Sequence, residues 1–147
     1  MRAVCMIPLL IALTACGGEA PAPAGPGVPA PTLAELPYPY NGADLSKGKE
    51  LFGKKCGACH FLPADKGHKV GPNLNGVFDR GVATVADYNF SPALKAYDAS
   101  AWTPELVDQW LQSPDSFVPG TSMRLNGITD ANERRDLIAH LLIVSRQ

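Results

Sequence analysis

Five consecutive residues, Cys56-Gly57-Ala58-Cys59-His60, constrain this chain of 147 residues more than any other stretch. They put two thiols about one helical turn apart, with an imidazole directly after the second. This is the C-x-x-C-H spacing at which a haem is attached covalently. Each thiol can add to one vinyl group of the same porphyrin, and His60 can turn onto the iron as its proximal ligand. Gly57 and Ala58 are small enough for the backbone to lie against the porphyrin edge. A bare C-x-x-C also occurs as half of a zinc site or as a redox dithiol. Zinc would need a second ligand pair, and the other two of the four cysteines, Cys5 and Cys16, are isolated near the N-terminus. A thioredoxin-like dithiol would need a βαβ setting, which this Pro- and Gly-rich, strand-poor sequence does not offer. The length suits one folded domain, and a formal net charge of −1 argues against a nucleic-acid partner.

Ahead of the motif the chain divides into two further stretches. Residues 1–15 read as a signal peptide: Arg2 supplies the positive start, and the apolar run Val4–Leu13 is too short to span a bilayer as a permanent helix. The run closes on Leu13-Thr14-Ala15-Cys16, which resembles a bacterial lipobox. Cleavage before Cys16 and lipidation of its thiol are expected, anchoring the protein to a membrane. Residues 16–40 read as a linker, in which Pro21, Pro23, Pro26, Pro29, Pro31, Pro37 and Pro39 alternate with small residues. Such a stretch is extended and semi-rigid, with too few apolar side chains to form a core; fully drawn out it reaches on the order of 70 Å.

The folded domain is expected over residues 41–147, where twelve basic residues balance twelve acidic ones. Asp44 is a candidate N-cap for a first helix with Leu45, Gly48, Leu51 and Phe52 on one face, leading into the motif. Glycine is costly inside a helix unless another backbone comes close, which marks Gly48 as a packing point. Ser91-Pro92 and Thr103-Pro104 each give an N-cap followed by proline at the first helical position, so two more helices are predicted there. Thr129 or Asp130 opens a last helix. In it Leu137, Ile138, Leu141 and Leu142 recur at helical spacing, and Glu133, Arg134, Arg135 and Asp136 are expected largely on the outer side.

Gly71-Pro72-Asn73-Leu74 after the C-x-x-C-H motif, with Gly76 and Phe78 next, resembles the class I c-type cytochromes, the group that includes mitochondrial cytochrome c. The likeness extends across essentially the whole of Asn41 to Val144. It implies an all-α fold: four to five helices wrapped around one covalently bound haem c, with the first and last helices crossed at Gly48, Phe52 and Leu137. By this resemblance Pro72 accepts a hydrogen bond from His60, Trp102 contacts a propionate, and Trp110 replaces a tyrosine beside the axial methionine. Asn73 and Thr121 also belong to the haem-binding set it implies. Pro119-Gly120-Thr121 leads to Met123, the one methionine outside the signal peptide, in the position of the sixth ligand. Of the rivals, His68 is too near His60 to reach the opposite face and is expected to bond within its loop. His140 is expected to be structural, packed on the first helix where the family usually has a tyrosine. Two departures stand out. Phe90 replaces a tyrosine that often bonds a propionate. Lys55 and Lys69 remain from the family's lysine ring, but Asp115, Ser122, Thr129 and Asp130 fall where other lysines would be.

A histidine and a thioether would close both axial positions of the iron, which suits one-electron transfer rather than catalysis. The expected protein is thus not an enzyme. It is a monomeric electron carrier, lipid-anchored at Cys16 to a bacterial membrane and facing the periplasm. Its expected partners are redox proteins such as a cytochrome bc complex, a terminal oxidase or a photosynthetic reaction centre. The alternative is a haem subunit fixed to a larger oxidoreductase. An open-sited peroxidase or gas sensor would require that Met123 not be a ligand, and a haem-free lipoprotein module would require that the cysteines carry nothing.

Overall fold

A computed structural model gives the fold and describes residues 29–146. The expected signal peptide, Cys16 and the linker up to Val28 lie outside the described residues. Among the described residues five α-helices follow in chain order: α1 Leu45–Leu51, α2 Pro92–Lys95, α3 Pro104–Gln112, α4 Pro114–Phe117 and α5 Ala131–Val144. No strand occurs among the described residues, in keeping with the expected all-α fold.

The helix starts follow the sequence signals. Asp44 accepts from the amides of Ser46 and Lys47, Ser91 from Leu94, and Thr103 from Leu106. Asp130, rather than Thr129, caps α5 through the amides of Asn132 and Glu133. Each cap satisfies amides that have no partner inside their own helix.

The crossing of α1 on α5 explains Gly48. A Cβ there would lie 2.1 Å from the Asp136 carbonyl oxygen and 2.8 Å from the His140 Cβ, so only glycine lets the two backbones meet. The α5 residues nearest Gly48 are therefore Asp136 and His140, while Leu137 is fully buried. His140 packs its ring 6.1 Å from that of Phe52, the structural role expected of it.

Two expectations are corrected. Arg134 and Asp136 are not on the outer side of α5 but buried, 7% and 2% exposed. Arg134 is drawn inward by a two-pronged pair with Asp108 and by the carbonyls of Ile128 and Thr129. Asp136 is held by Arg135 and by the Asp44 amide. The linker also ends before residue 40. Leu36 and Tyr40 are 5% and 4% exposed and join the core, and Thr32 and Glu35 close a short turn ahead of them. The proline count hid these two apolar anchors.

Candidate haem site

At its C-terminal end α1 does not stop but widens. Over Phe52–Cys56 the backbone bonds one residue further back, with the Gly57 amide reaching the Phe52 carbonyl at 2.8 Å. A wide turn of this kind adds a residue to the helical repeat and is common at functional sites. Here Cys56 is buried at the end of the turn while Cys59, three residues on, is exposed. The amides of Cys59 and His60 both bond the Cys56 carbonyl at 2.9 Å, folding the motif into one compact turn.

This turn forms one wall of a large apolar crevice, about 1280 Å³ with its open mouth included. Of the residues singled out by sequence, Cys56, Cys59, His60, Pro72, Trp102, Trp110, Thr121 and Met123 all line it. Asn73 does not. It is buried behind the wall, where its amide group donates to the carbonyls of Pro63 and Lys66 at 2.9 and 2.7 Å and its side-chain oxygen accepts from the Asn75 amide. Asn73 builds the loop that carries Pro72 instead of touching the crevice.

His60 is fixed with unusual tightness. Its Nδ1 lies 2.7 Å from the Pro72 carbonyl oxygen. A carbonyl only accepts, so Nδ1 carries the proton and Nε2 keeps a free lone pair. Burial lowers the pKa of this ring, with the Pro72 bond opposing, and so favours the neutral form. Gly71 presses on the ring from the side: a Cβ there would come within 2.3 Å of Cε1 and 2.7 Å of Nε2. His68 braces the same loop, as expected, accepting from the Asn73 amide at 3.0 Å and reaching the Ala86 carbonyl at 3.2 Å.

Met123 is presented by different means. Val118–Thr121 forms a turn through Gly120, whose φ of +87° favours glycine. Thr121 is 2% exposed, and its hydroxyl accepts from the Met123 amide at 3.3 Å. The Trp110 indole N–H, from α3, donates to the Met123 sulfur at 3.1 Å. Trp102 stacks edge-on against Trp110 with ring centres 5.4 Å apart.

The remaining walls fit a haem. Leu74, Val77, Val107, Leu111 and Leu141 offer an apolar bed for the macrocycle. Arg80, which sequence reasoning missed, is half-buried in the lining and donates to the carbonyls of Asn73 and Asn75 at 2.5 and 2.8 Å. Among the described residues it is in no salt bridge, and it brings a positive charge to the crevice lining. No local pattern marks it: it closes the run Val77-Phe78-Asp79-Arg80 and acquires its place only by folding. Phe90 is buried against Tyr88, whose hydroxyl donates to Val70. The dithiol reading loses ground on the same geometry. Burial pushes the Cys56 thiol up to about 11, whereas a reactive dithiol needs a lowered value.

Residues 45–145 match the family model described as cytochrome c. The chain belongs to the cytochrome c family. In a cytochrome c the haem is held covalently through the two motif cysteines, here Cys56 and Cys59. Among its relatives, cytochrome c of Guizotia abyssinica is 39% identical over 110 residues, covering 75% of this chain and 95% of that one. The cytochrome c-type cyt cy of Rhodobacter capsulatus is 43% identical over 103 residues, 70% of this chain and 50% of that protein. Cytochrome c of Arabidopsis thaliana is 37% identical over 98 residues, 67% of this chain and 87% of that one. As a cytochrome c, the protein is an electron carrier that works with other redox proteins.

Proposed function

We propose that this cytochrome shuttles single electrons between membrane redox complexes, with His60 and Met123 as the two axial ligands and Cys16 as a lipid tether. The observation that carries the reading is the convergence of Cys56, Cys59, His60 and Met123 on one crevice. Bound haem supplies one-electron chemistry at its iron, and a soft thioether favours the reduced state. The protein's part is to hold the site still. The Pro72 bond and Gly71 fix the His60 ring, Thr121 and Trp110 fix Met123, and two ligands held in place leave no position for substrate. Such a site changes charge without making or breaking ligand bonds, so the protein acts as a carrier and not as an enzyme.

The crevice reaches the surface beside exposed Cys59 and Val70, the latter 79% exposed, and this is the proposed electron port. Lys69 lies close by, but its ammonium already donates to the Gly57 carbonyl at 2.6 Å and sits 4.2 Å over the Phe61 ring. With the charges of the domain balanced, docking rests mainly on apolar contact, and a tether supplies the encounter rate that steering would otherwise give. A cytochrome bc complex, a terminal oxidase or a photosynthetic reaction centre fits as partner on the periplasmic side of a bacterial membrane. No helix among the described residues is long and apolar enough to cross a membrane. In this reading the anchor is the lipid on Cys16, proposed on the Leu13-Thr14-Ala15-Cys16 pattern.

The test is fractionation of the source cells followed by optical spectra of the oxidised and reduced protein. The colour should remain with the membranes, and the oxidised form should show the weak near-infrared-edge band of sulfur bound to iron. A protein found wholly in the soluble periplasm would remove the tether. An oxidised spectrum without that band would remove Met123 as ligand.

A further inference from the structure

The match to the cytochrome c model begins at residue 45, and a docked segment lies ahead of it. This segment has two short turns, Leu33–Glu35 and Tyr40–Gly42. The Thr32 amide and hydroxyl both donate to the Glu35 carboxylate, at 2.7 and 2.8 Å, and the Tyr40 amide donates to the Pro37 carbonyl at 2.8 Å. The segment thus holds much of its own shape and docks as a strap through Leu36 and Tyr40, both buried in the core. The place of docking is specific. The turn at Tyr40 packs on α5, and its phenol lies near Glu105 and Asp108 of α3. Burial, with the charges of Glu105 and Asp108 adding, pushes the Tyr40 hydroxyl up to about 12, so the ring sits beside these carboxylates uncharged. Val107, Trp110 and Leu111 of the same helix line the crevice, so the strap braces α3 from another side.

That other side of α3 carries Asp108, whose two-pronged pair with Arg134 reaches the end of the methionine loop. Arg134 is buried and donates to the Ile128 and Thr129 carbonyls at 2.8 and 2.9 Å. Asp108 remains partly exposed, so the strength of the pair depends on what covers it. An ion pair open to water contributes little, and exclusion of water strengthens it. We propose that the strap is a positioning element for Met123: Tyr40, anchored with Leu36, keeps water from the Asp108–Arg134 pair, and the covered pair keeps the methionine loop closed. This rests on the reading of Met123 as sixth ligand. The last residues of the linker thus support the iron site, and a domain cut at residue 41 loses that support.

The test titrates full-chain oxidised holoprotein with imidazole while the sulfur-to-iron band is followed. Imidazole competes with the sulfur for the iron, so its affinity reports how often the methionine side opens. Hydrogen exchange at the Ile128 amide, which bonds the Leu111 carbonyl at 2.8 Å, reads the same opening without an added ligand. Tyr40→Ala and Leu36→Ala should each bind imidazole about fivefold more tightly and quicken that exchange by a similar factor. Tyr40→Phe, which keeps the cover, should stay near wild type. In an Arg134→Ala background, Tyr40→Ala should add little, because the pair it protects is already gone. If the band is present in wild type and both alanine variants leave affinity and exchange unchanged, the proposal is overturned. It is equally overturned if Tyr40→Phe matches Tyr40→Ala, or if the effects of Tyr40→Ala and Arg134→Ala add in full. A wild type that lacks the band would show that the ligand reading itself had failed and this inference with it.

Discussion

The two sides of the crevice, one carrying His60 and the other Met123, are built on opposite plans. On the His60 side, the residues that fix the ring come from one short stretch, braced from outside by Arg80, Ala86 and Tyr88. Cys56, Cys59, His60, Gly71 and Pro72 hold one another through backbone bonds such as Gly71 amide to Cys59 carbonyl at 2.8 Å and Leu74 amide to Phe61 carbonyl at 2.8 Å. On the Met123 side the parts come from far apart. The sulfur is met by Trp110 of α3, and the far end of the methionine loop is tied to α5 by Arg134 and to α3 by the Ile128 amide on the Leu111 carbonyl at 2.8 Å. A locally closed structure costs little entropy to assemble and fails only when one of its own atoms is disturbed. A structure gathered from several elements can be loosened from any of them.

Gly71→Ala is the most severe way to probe the local side. The added methyl would meet the imidazole at 2.3 Å, and a ring bonded at Nδ1 to Pro72 has nowhere to turn. Overpacking of this kind costs about 3 kcal/mol, the upper end of its usual range. Holoprotein yield should fall sharply, and denaturant titration of what survives should show the His60 side released first. A variant with wild-type yield and unfolding midpoint would mean that the loop yields easily and that the local side is not the stiff one.

Arg134→Ala probes the assembled side from a distance. The substitution removes the partner of Asp108 and the donor to the Ile128 and Thr129 carbonyls at 2.8 and 2.9 Å. Breaking a fully buried pair typically costs 3–5 kcal/mol. Asp108 is 35% exposed and can be rehydrated, so the expected loss is smaller, about 2 kcal/mol. The informative readout is the order of events. The sulfur-to-iron band should vanish at a lower denaturant concentration than global unfolding, with the His60 side still intact. Simultaneous loss of band and fold would erase the contrast between the two sides.

The same contrast explains what could be read from sequence. The C-x-x-C-H motif, Pro72 and the capped starts at Asp44, Ser91, Thr103 and Asp130 are local patterns, and each sits in the structure as expected. Family resemblance carried the reading further, to Trp102, Trp110 and Met123 in one crevice. What escaped is defined by distance in space. Arg80 looks like any surface arginine until its loop folds under the crevice. Arg134 and Asp136 look like an outer face because both sides of α5 near its start are covered, by α3 and by α1. Leu36 and Tyr40 were lost among prolines, although two well-placed apolar residues suffice to dock a strap. Asn73 sits next to a crevice residue but faces the other way, a distinction that needs the backbone.

The smallest expected effect is a pH dependence at the crossing that carries α1 into the haem motif. His140 is buried there over Gly48 and beside Phe52, and burial, with Lys49 adding its charge, holds its imidazole below the ordinary histidine range. In the unfolded chain the same group titrates near 6.5. As pH falls through that value the unfolded state takes up a proton and the folded state does not yet, so stability declines. The contribution is fully present above about 6.5 and is lost progressively below it, until the folded pKa is reached. Other groups titrate over the acid range, so the diagnostic quantity is a difference. Unfolding midpoints of wild type and His140→Tyr, measured from pH 7.5 down to pH 5, should diverge, with the tyrosine variant losing less. Because α1 delivers Cys56 to the crevice, the decline should appear on the His60 side and leave the sulfur-to-iron band unmoved until the fold itself gives way. Parallel midpoints across the range would show that His140 takes its proton as readily folded as unfolded. A band lost in step with His140 protonation would mean that the crossing also governs the methionine side, and that the two sides of the crevice are less independent than their construction implies.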